Sequence, residues 1–287
     1  MSSDGYEVRP VEATGAELAA TRALFGAAFP TATHLDERTL DWQYNENPDG
    51  KAVGFNAWAG GELAAHYVTL RLKLLLQGRE VPGLLSLNTA THPKHQGRGL
   101  FTRLAEATYR RAAEAGFAGV VGVANAASTP GFVRKLGFQL VAPLEARLGM
   151  GPVARHVAEP AYEFRRVWSR DALAWRLRHP HGNYRFVADS RGVRVEAPTG
   201  RYGIWAVMAV CEPGLGRELS AGRGPLNPMK VWLGLDGGVD WERSRYFTMP
   251  RALRPSPLNL IFRRLASEGP RLRAEAVRFE AIDFDAY

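Results

Sequence analysis

The hydrophobic pattern changes period abruptly near residue 92, and this constrains the fold more than any other feature. Val81–Thr91 reads as a strand. Pro93-Lys94-His95-Gln96-Gly97-Arg98-Gly99 follows, and then Leu100, Leu104, Ala107, Ala112 and Ala113 recur at helical spacing. A strand that passes into a helix through two glycines places the helix N-terminus at the strand tip, with its unsatisfied N–H groups and the positive end of its dipole. Gly97 and Gly99 let the backbone approach a ligand without a Cβ in the way. The product is a cradle for an anion, phosphate above all, and Lys94 and Arg98 add positive charge. Two familiar phosphate motifs are excluded. GxxxxGK followed by Ser or Thr is absent, and Gly97-x-Gly99-x-x leads to Thr102, which breaks GxGxxG.

The surrounding sequence predicts what this turn is built into. Tyr6–Val11 has strand character. Thr14 starts a helix carrying Leu18, Leu24, Phe25 and Phe29, and Asp36 caps a second carrying Leu40, Trp42 and Tyr44, ended near Pro48 and Gly50. Val53–Ala59, Leu63–Leu76 and Val81–Thr91 form an antiparallel meander through Gly60-Gly61 and Gln77-Gly78-Arg79. After the helix that opens at Leu100, Gly116 supplies a left-handed C-terminal cap with Phe117 as its apolar follower. Gly119–Ala124 is a buried strand. Pro130–Leu136 is a short helix stopped at Gly137, and Phe138–Val141 begins another strand. The fold class is α/β (α+β), a mixed sheet flanked by helices.

With 287 residues the chain has room for two domains. The expected division is residues 1–150 and 165–287, separated by a loose stretch with Pro143, Gly149, Gly151, Pro152 and Pro160. The second segment predicts a helix at Arg170–Arg178 and strands at Tyr184–Asp189, Val193–Ala197, Tyr202–Val210 and Lys230–Leu235. A helix near Pro257–Glu268 and a terminal strand around Val277–Phe284 follow. Leu40-Asp41-Trp42 before Asn47-Pro48 is echoed by Leu173-Ala174-Trp175 before His179-Pro180. Two readings account for the echo: two helices that each bury a Trp and stop at Pro, or a duplicated domain whose second copy has diverged. No second phosphate turn is legible. Leu215-Gly216 and Ala221-Gly222-Arg223-Gly224-Pro225 are glycine-rich, but Pro225 and Pro228 interrupt any helix there.

Composition narrows the classes. Hydrophobic residues are 46% and charged residues 23%, ordinary for a globular chain and too apolar for disorder. No stretch has the apolar length of a membrane helix. The first residues lack the pattern of a signal peptide, so a cytoplasmic location is expected. The single cysteine, Cys211, rules out an intrachain disulfide framework. The net charge of +8 favours anionic partners, but there is no basic tail and no zinc-finger or RNA-recognition signature, so nucleic acid is not expected. His92 and His95 have no carboxylate or cysteine beside them in sequence, so no metal site is expected.

The turn and a second block resemble the GNAT superfamily of CoA-dependent N-acyltransferases. Gln96-Gly97-Arg98-Gly99-Leu100 is similar to its Gln/Arg-x-x-Gly-x-Gly/Ala phosphate loop, with Phe101 in place of the last small residue. Asn125, Ser128, Phe132 and Lys135-Leu136-Gly137-Phe138 resemble its Asn-x-x-(Ala/Ser)-x-x-x-Tyr…Lys-Leu-Gly-Phe stretch. The two blocks stand in the family's order, and the resemblance covers residues 5–145.

The resemblance implies a GNAT-like mixed sheet, a second diverged GNAT-like domain that shapes the substrate cleft, and acetyl-CoA as co-substrate. Thr89, Ala90 and Thr91 would bond the pantetheine arm through backbone groups. Gln96, Gly97, Arg98, Gly99, Leu100 and Phe101 would hold the pyrophosphate, and Asn125 would contact pantetheine or order the strand splay that admits it. Phe132 occupies the place of a Tyr that in many members protonates the departing thiolate, leaving water, the Ser128 hydroxyl or another group for that step. The strand Val81–Thr91 carries no carboxylate to serve as base. His66, His92, His95 and a solvent relay are the candidates for accepting the amine proton. The implied reaction moves an acetyl group to a primary amine of a small molecule, an amino sugar among them. The rival readings are a non-catalytic acyl-CoA-binding protein, and an enzyme that uses a longer acyl chain or a carrier-protein thioester.

Overall fold

A computed structural model describes residues 5–32, 34–158, 160–189, 192–201, 203–211, 228–250, 254, 257–265 and 269–284. The first half follows the expected order: β1 (Glu7–Pro10), α1 (Gly15–Ala28), α2 (Glu37–Tyr44), β2 (Val53–Ala59), β3 (Glu62–Leu76), β4 (Arg79–Thr91), α3 (Leu100–Glu114) and β5 (Gly119–Ala124). Local chemistry explains the boundaries. Asp36 caps α2 by accepting the Thr39 N–H at 2.8 Å. Thr14 precedes α1 without a side-chain bond, and the Glu17 carboxylate instead accepts the N–H groups of Glu12 and Ala13. Gly116 (φ +83°) ends α3, with Phe117 N–H bonding back to the Ala112 carbonyl. The expected helix at Pro130–Leu136 is present and contains a π-type turn, Gly131–Lys135.

Three expectations are corrected. The helix near Pro257–Glu268 is a strand, β14 (Asn259–Arg264). Leu260, Ile261 and Phe262 form a short apolar run that helix and strand share, and burial on both faces between two strands decides for the strand. The terminal strand is shorter than expected: β15 (Val277–Glu280) gives way to a helical turn, Ala281–Phe284. The stretch around Gly149 is no linker. It forms β7 (Glu145–Met150), directly after β6 (Gln139–Pro143), and a Cβ at Gly149 would run into the Arg245 carbonyl oxygen. The glycine there serves close strand packing. The remaining elements are β8 (Phe164–Val167), α4 (Arg170–Leu177), β9 (Arg185–Asp189), β10 (Gly192–Pro198), β11 (Trp205–Cys211), β12 (Met229–Asp236) and β13 (Tyr246–Thr248). Tyr202, Leu215-Gly216 and Ala221–Pro225 lie outside the described residues. No helix among the described residues is long and apolar enough to cross a membrane.

The strands join into one sheet that runs without a break across residue 150. In the first half the order is β1-β2-β3-β4-β5-β14-β6, antiparallel except for the parallel step from β4 to β5. In the second it is β9-β10-β11-β12-β7-β13, again antiparallel except for one parallel step, from β11 to β12. The fifth place in the second series is taken by β7 from the first half. The sixth place in the first series is taken by β14 from the second. Each half therefore completes its sheet with a strand lent by the other.

The helices repeat the correspondence. Ser169 caps α4 by bonding the Ala172 N–H, as Asp36 does for α2. Trp42 and Trp175, 133 residues apart, stack at 4.5 Å with rings 16° from parallel. Each indole N–H donates to the other's backbone carbonyl, at 3.2 and 3.1 Å. His181 adds a 2.9 Å contact to Asp36. Both Trp side chains are fully buried, so Trp42→Ala and Trp175→Ala should each cost about 3–5 kcal/mol. The double variant should cost less than the sum, because the two rings share one stack. Urea unfolding of the three variants measures both quantities; an additive double variant would mean that the rings do not act on each other.

Candidate functional site

β4 and β5 pair only between Gly83–Ser86 and Gly119–Gly122. Beyond that point β4 bulges. Its register against β3 jumps from Leu87↔Val68 to Ala90↔His66, so Asn88 and Thr89 together oppose Tyr67, and Asn88 takes a positive φ of 48°. The two parallel strands diverge into a V. Thr89, Ala90 and Thr91 present one backbone edge to it, with the other edge held by β3. The two-glycine turn lies at the tip of β4. Gly97 and Gly99 both have positive φ, and a Cβ on either would enter open space. Gly99 is the N-cap of α3. The N–H groups from Gly97 to Thr102 have no protein acceptor among the described residues. The turn is braced from the side, not across its mouth: Tyr6 OH lies 2.8 Å from His95 Nδ1, and the Arg98 guanidinium sits 5.9 Å over the Tyr6 ring. Gln96 Nε2 reaches only to 3.5 Å from the Thr91 carbonyl. Thr89 through Thr91 and Gln96 through Phe101 thus lie together at the end of β4 where its pairing with β5 has stopped. Leu100 contributes its backbone, because its side chain is buried.

Asn125 and Ser128 stand at the end of β5 and serve one turn. Asn125 Oδ1 accepts the N–H groups of Ala127 and Ser128, and Ser128 Oγ accepts the Asn125 N–H at 3.1 Å. The Ser128 hydroxyl is therefore built into the turn that starts the next helix. Phe132 is buried against Phe101 and Phe138, both at 5.1 Å and nearly edge-on. The two departures from the family pattern, Phe101 and Phe132, are in contact with each other. Behind them Tyr67 bonds Ser86 Oγ and the Tyr109 hydroxyl; burial pushes Tyr67 up to about 12 and Tyr109 well above its usual range.

His66 is not the accessible base that the sequence offered. It is 1% exposed, with both ring nitrogens engaged: Nδ1 with Asn56 Oδ1 at 2.6 Å, Nε2 with Tyr44 OH at 3.1 Å. Asn56 Nδ2 donates to Glu17, so its Oδ1 accepts from His66 Nδ1–H. His66 Nε2 then accepts the Tyr44 hydroxyl proton, and the Tyr44 oxygen accepts from Asn88 Nδ2 at 3.1 Å. Asn88 Nδ2 also donates to Gln43 Oε1 at 2.6 Å. The polar string Glu17–Asn56–His66–Tyr44–Asn88 runs under α1 and α2 to the bulge. In the sequence Asn88 is marked only as a lone Asn near the end of an apolar strand.

The fold brings a carboxylate to the two turn histidines after all. Glu62, after the Gly60-Gly61 hairpin, joins His92 and His95 with one potential ligand atom from each within 4.8 Å. His92 Nδ1 accepts the Lys94 N–H at 3.2 Å, which puts the ring proton on Nε2, 3.7 Å from Glu62.

Burial lowers the His66 pKa from 6.5 to about 3. The unfolded chain then binds a proton that the folded chain refuses. The stability from this site is complete above pH 6.5 and is lost as pH falls toward 3. His66→Gln should lose less stability between pH 7 and pH 4.5 than the parent chain; denaturant unfolding at both pH values checks this, and equal slopes would count against the sealed, neutral ring.

Residues 7–141 match the Acetyltransferase (GNAT) domain family. No curated protein matches the chain. Among solved structures, a GCN5-related N-acetyltransferase from Kribbella flavida is similar with a TM-score of 0.59 at 14% identity, over 92% of this chain and 73% of that one. A GCN5-related N-acetyltransferase from Anabaena variabilis gives 0.58 at 12%, over 90% and 72%. Eis1 from Mycobacterium abscessus gives 0.52 at 15%, over 79% of this chain and 64% of that one. At these identities the structures speak for the fold, and the sequence match speaks for the family. Residues 7–141 are a GNAT acetyltransferase domain.

Proposed function

We propose that the chain transfers an acetyl group from acetyl-CoA to a primary amine of a small molecule. The observation that carries this reading is the open V between β4 and β5, leading to a turn whose N–H groups from Gly97 to Thr102 have no protein acceptor among the described residues. Pyrophosphate would be held by those N–H groups, and the pantetheine arm would lie along Thr89, Ala90 and Thr91. In the reaction the amine nitrogen attacks the thioester carbonyl, the C–S bond breaks, CoA leaves as thiolate, and the proton shed by the amine passes to water. A sealed His66 and a ring without a hydroxyl at Phe132 support solvent as the proton carrier. Catalysis rests on positioning and on backbone donors at the carbonyl. An acceptor as specific as an amino sugar, and a cytoplasmic setting, belong to the same proposal.

The second half, residues 165–287, is read as a diverged copy that supports the cleft of residues 1–150. The matching strand series and the Trp42–Trp175 stack support this tandem reading. Its own V, between β11 and β12, is occupied. β15 pairs with Gly234–Asp236 of β12 on the edge that faces β11. Arg278 donates to the Val210 carbonyl and Glu280 accepts the Val210 N–H, so β15 side chains close the β11 side as well.

Gly99→Asp should lower CoA affinity by more than about tenfold, because it sets a carboxylate against the pyrophosphate at a helix N-terminus. Gly99→Asn, neutral and tolerant of positive φ, should lose less. Calorimetric titration of folded variants tests this; unchanged affinity in the Asp variant would remove the cofactor assignment. Phe132→Tyr should change kcat by less than about a hundredfold, the low end of acid–base assistance, because the ring is packed among Phe101 and Phe138. Turnover of acetyl-CoA with a panel of amines provides the assay. CoA binding without turnover of any amine would favour the non-catalytic reading.

A further inference from the structure

We infer that Asn88 is a positioning residue: its side-chain amide, held by Gln43 and Tyr44 of α2, fixes the strained bulge of β4 in the shape that receives the acyl group. This deepens the reading of the V as an acyl-donor site and rests on it. Three observations converge on Asn88. Its φ of 48° is one that few residues other than glycine adopt, and Asn is among them. It lies where β4 leaves β5, at the point of the cleft where backbone direction matters most. Its Nδ2 donates both its hydrogens to α2, to Gln43 Oε1 at 2.6 Å and to Tyr44 OH at 3.1 Å.

The acceptors are themselves fixed. Gln43 and Tyr44 are buried. The Tyr44 hydroxyl has one direction open to it, because its proton is committed to His66 Nε2, whose tautomer is set by Asn56 and Glu17. The polar string therefore has a defined donor and acceptor at each link, and it ends on the bulge. Burial holds the His66 ring neutral and pushes the Tyr44 phenol well up, so neither ring passes a proton along near neutrality. The string's work is geometric. α2 also carries Trp42, the residue stacked on Trp175, so the brace ties the bulge of the first half to the second half. A glycine would satisfy the backbone of this bulge at lower strain. An asparagine adds the one thing glycine lacks, a pair of hydrogen bonds to α2.

The test separates these roles. Asn88→Gly keeps the conformation accessible and deletes the amide. Gln43→Met leaves Asn88 in place and removes one acceptor at nearly constant volume. If the bonds position the bulge, both variants bind CoA with a Kd within about threefold of the parent, but bind acetyl-CoA less well relative to CoA. Both then lose about tenfold or more in kcat, as small misplacement at a reacting centre does. Asn88→Gly with parental kcat and a parental ratio of acetyl-CoA to CoA affinity would overturn the inference, leaving backbone conformation as the whole role. Loss of CoA binding in step with a lowered melting temperature in both variants would overturn it too, since the string would then serve folding alone. The affinity ratio is read without turnover. A parent chain that fails to bind CoA refutes the donor-site reading itself, whereas a parent that binds it and variants that match it refute only the role of Asn88.

Discussion

Two parallel strands that part company leave facing rows of N–H and C=O groups without partners, and burying such groups unpaired costs about 1–3 kcal/mol each. This chain does it twice, once between β4 and β5 and once between β11 and β12, and it meets the demand in two ways. In the second half the chain supplies its own partner: β15 enters the gap, pairs with β12, and uses Arg278 and Glu280 to bond the Val210 backbone. In the first half no protein segment among the described residues fills the gap. The two halves thus share a topology and differ in what completes the V: a strand of the chain in one, and an external ligand under the proposed function in the other.

The strand exchange follows from the same arrangement. β5 and β12 each need an antiparallel neighbour on the edge away from the V, and each takes it from the opposite half, β14 and β7 respectively. β5 then stays in the sheet while its inner edge is free, because β14 holds it along Gly119–Ala124. Asn259, at the start of that lent strand, bonds Thr129 beside the Asn125 turn. The second half therefore touches the first at two places. It holds the β5 wall directly through β14, and it meets the β4 wall through Trp175, Trp42 and α2. Neither contact requires the second half to bind a ligand.

The aromatic cluster above α3 ties the two departures from the family pattern into a single change. Phe101 fills space beside the two-glycine turn and leans on Phe132, whose ring also packs on Phe138. A phenol at residue 132 would have to find a partner in that apolar setting. A ring without a hydroxyl at residue 132 and a bulky ring at residue 101 are compatible as a pair, because each packs against the other.

Much was legible in the sequence because it depends on neighbours along the chain. The two-glycine turn at residues 97–99, the Asp36 cap and the Gly116 stop are local: each is set by the φ a residue tolerates or by a side chain reaching its own backbone. The matching Trp residues were also visible, and their offset of 133 is the offset at which α2 and α4 correspond. What tertiary structure alone decided depends on residues far apart. Whether Leu260-Ile261-Phe262 is helix or strand turned on a place between β5 and β6. Whether His66 is a base turned on Asn56 and Tyr44 enclosing its ring, and whether His92 has a carboxylate neighbour turned on a hairpin thirty residues earlier. Asn88 shows the division most plainly: its chemistry is written in the sequence, but its task exists only because α2 is pressed against the bulge and presents Gln43 and Tyr44 to its amide. Propensity and periodicity act over one turn or one strand, whereas the partners of a buried polar group are set by packing.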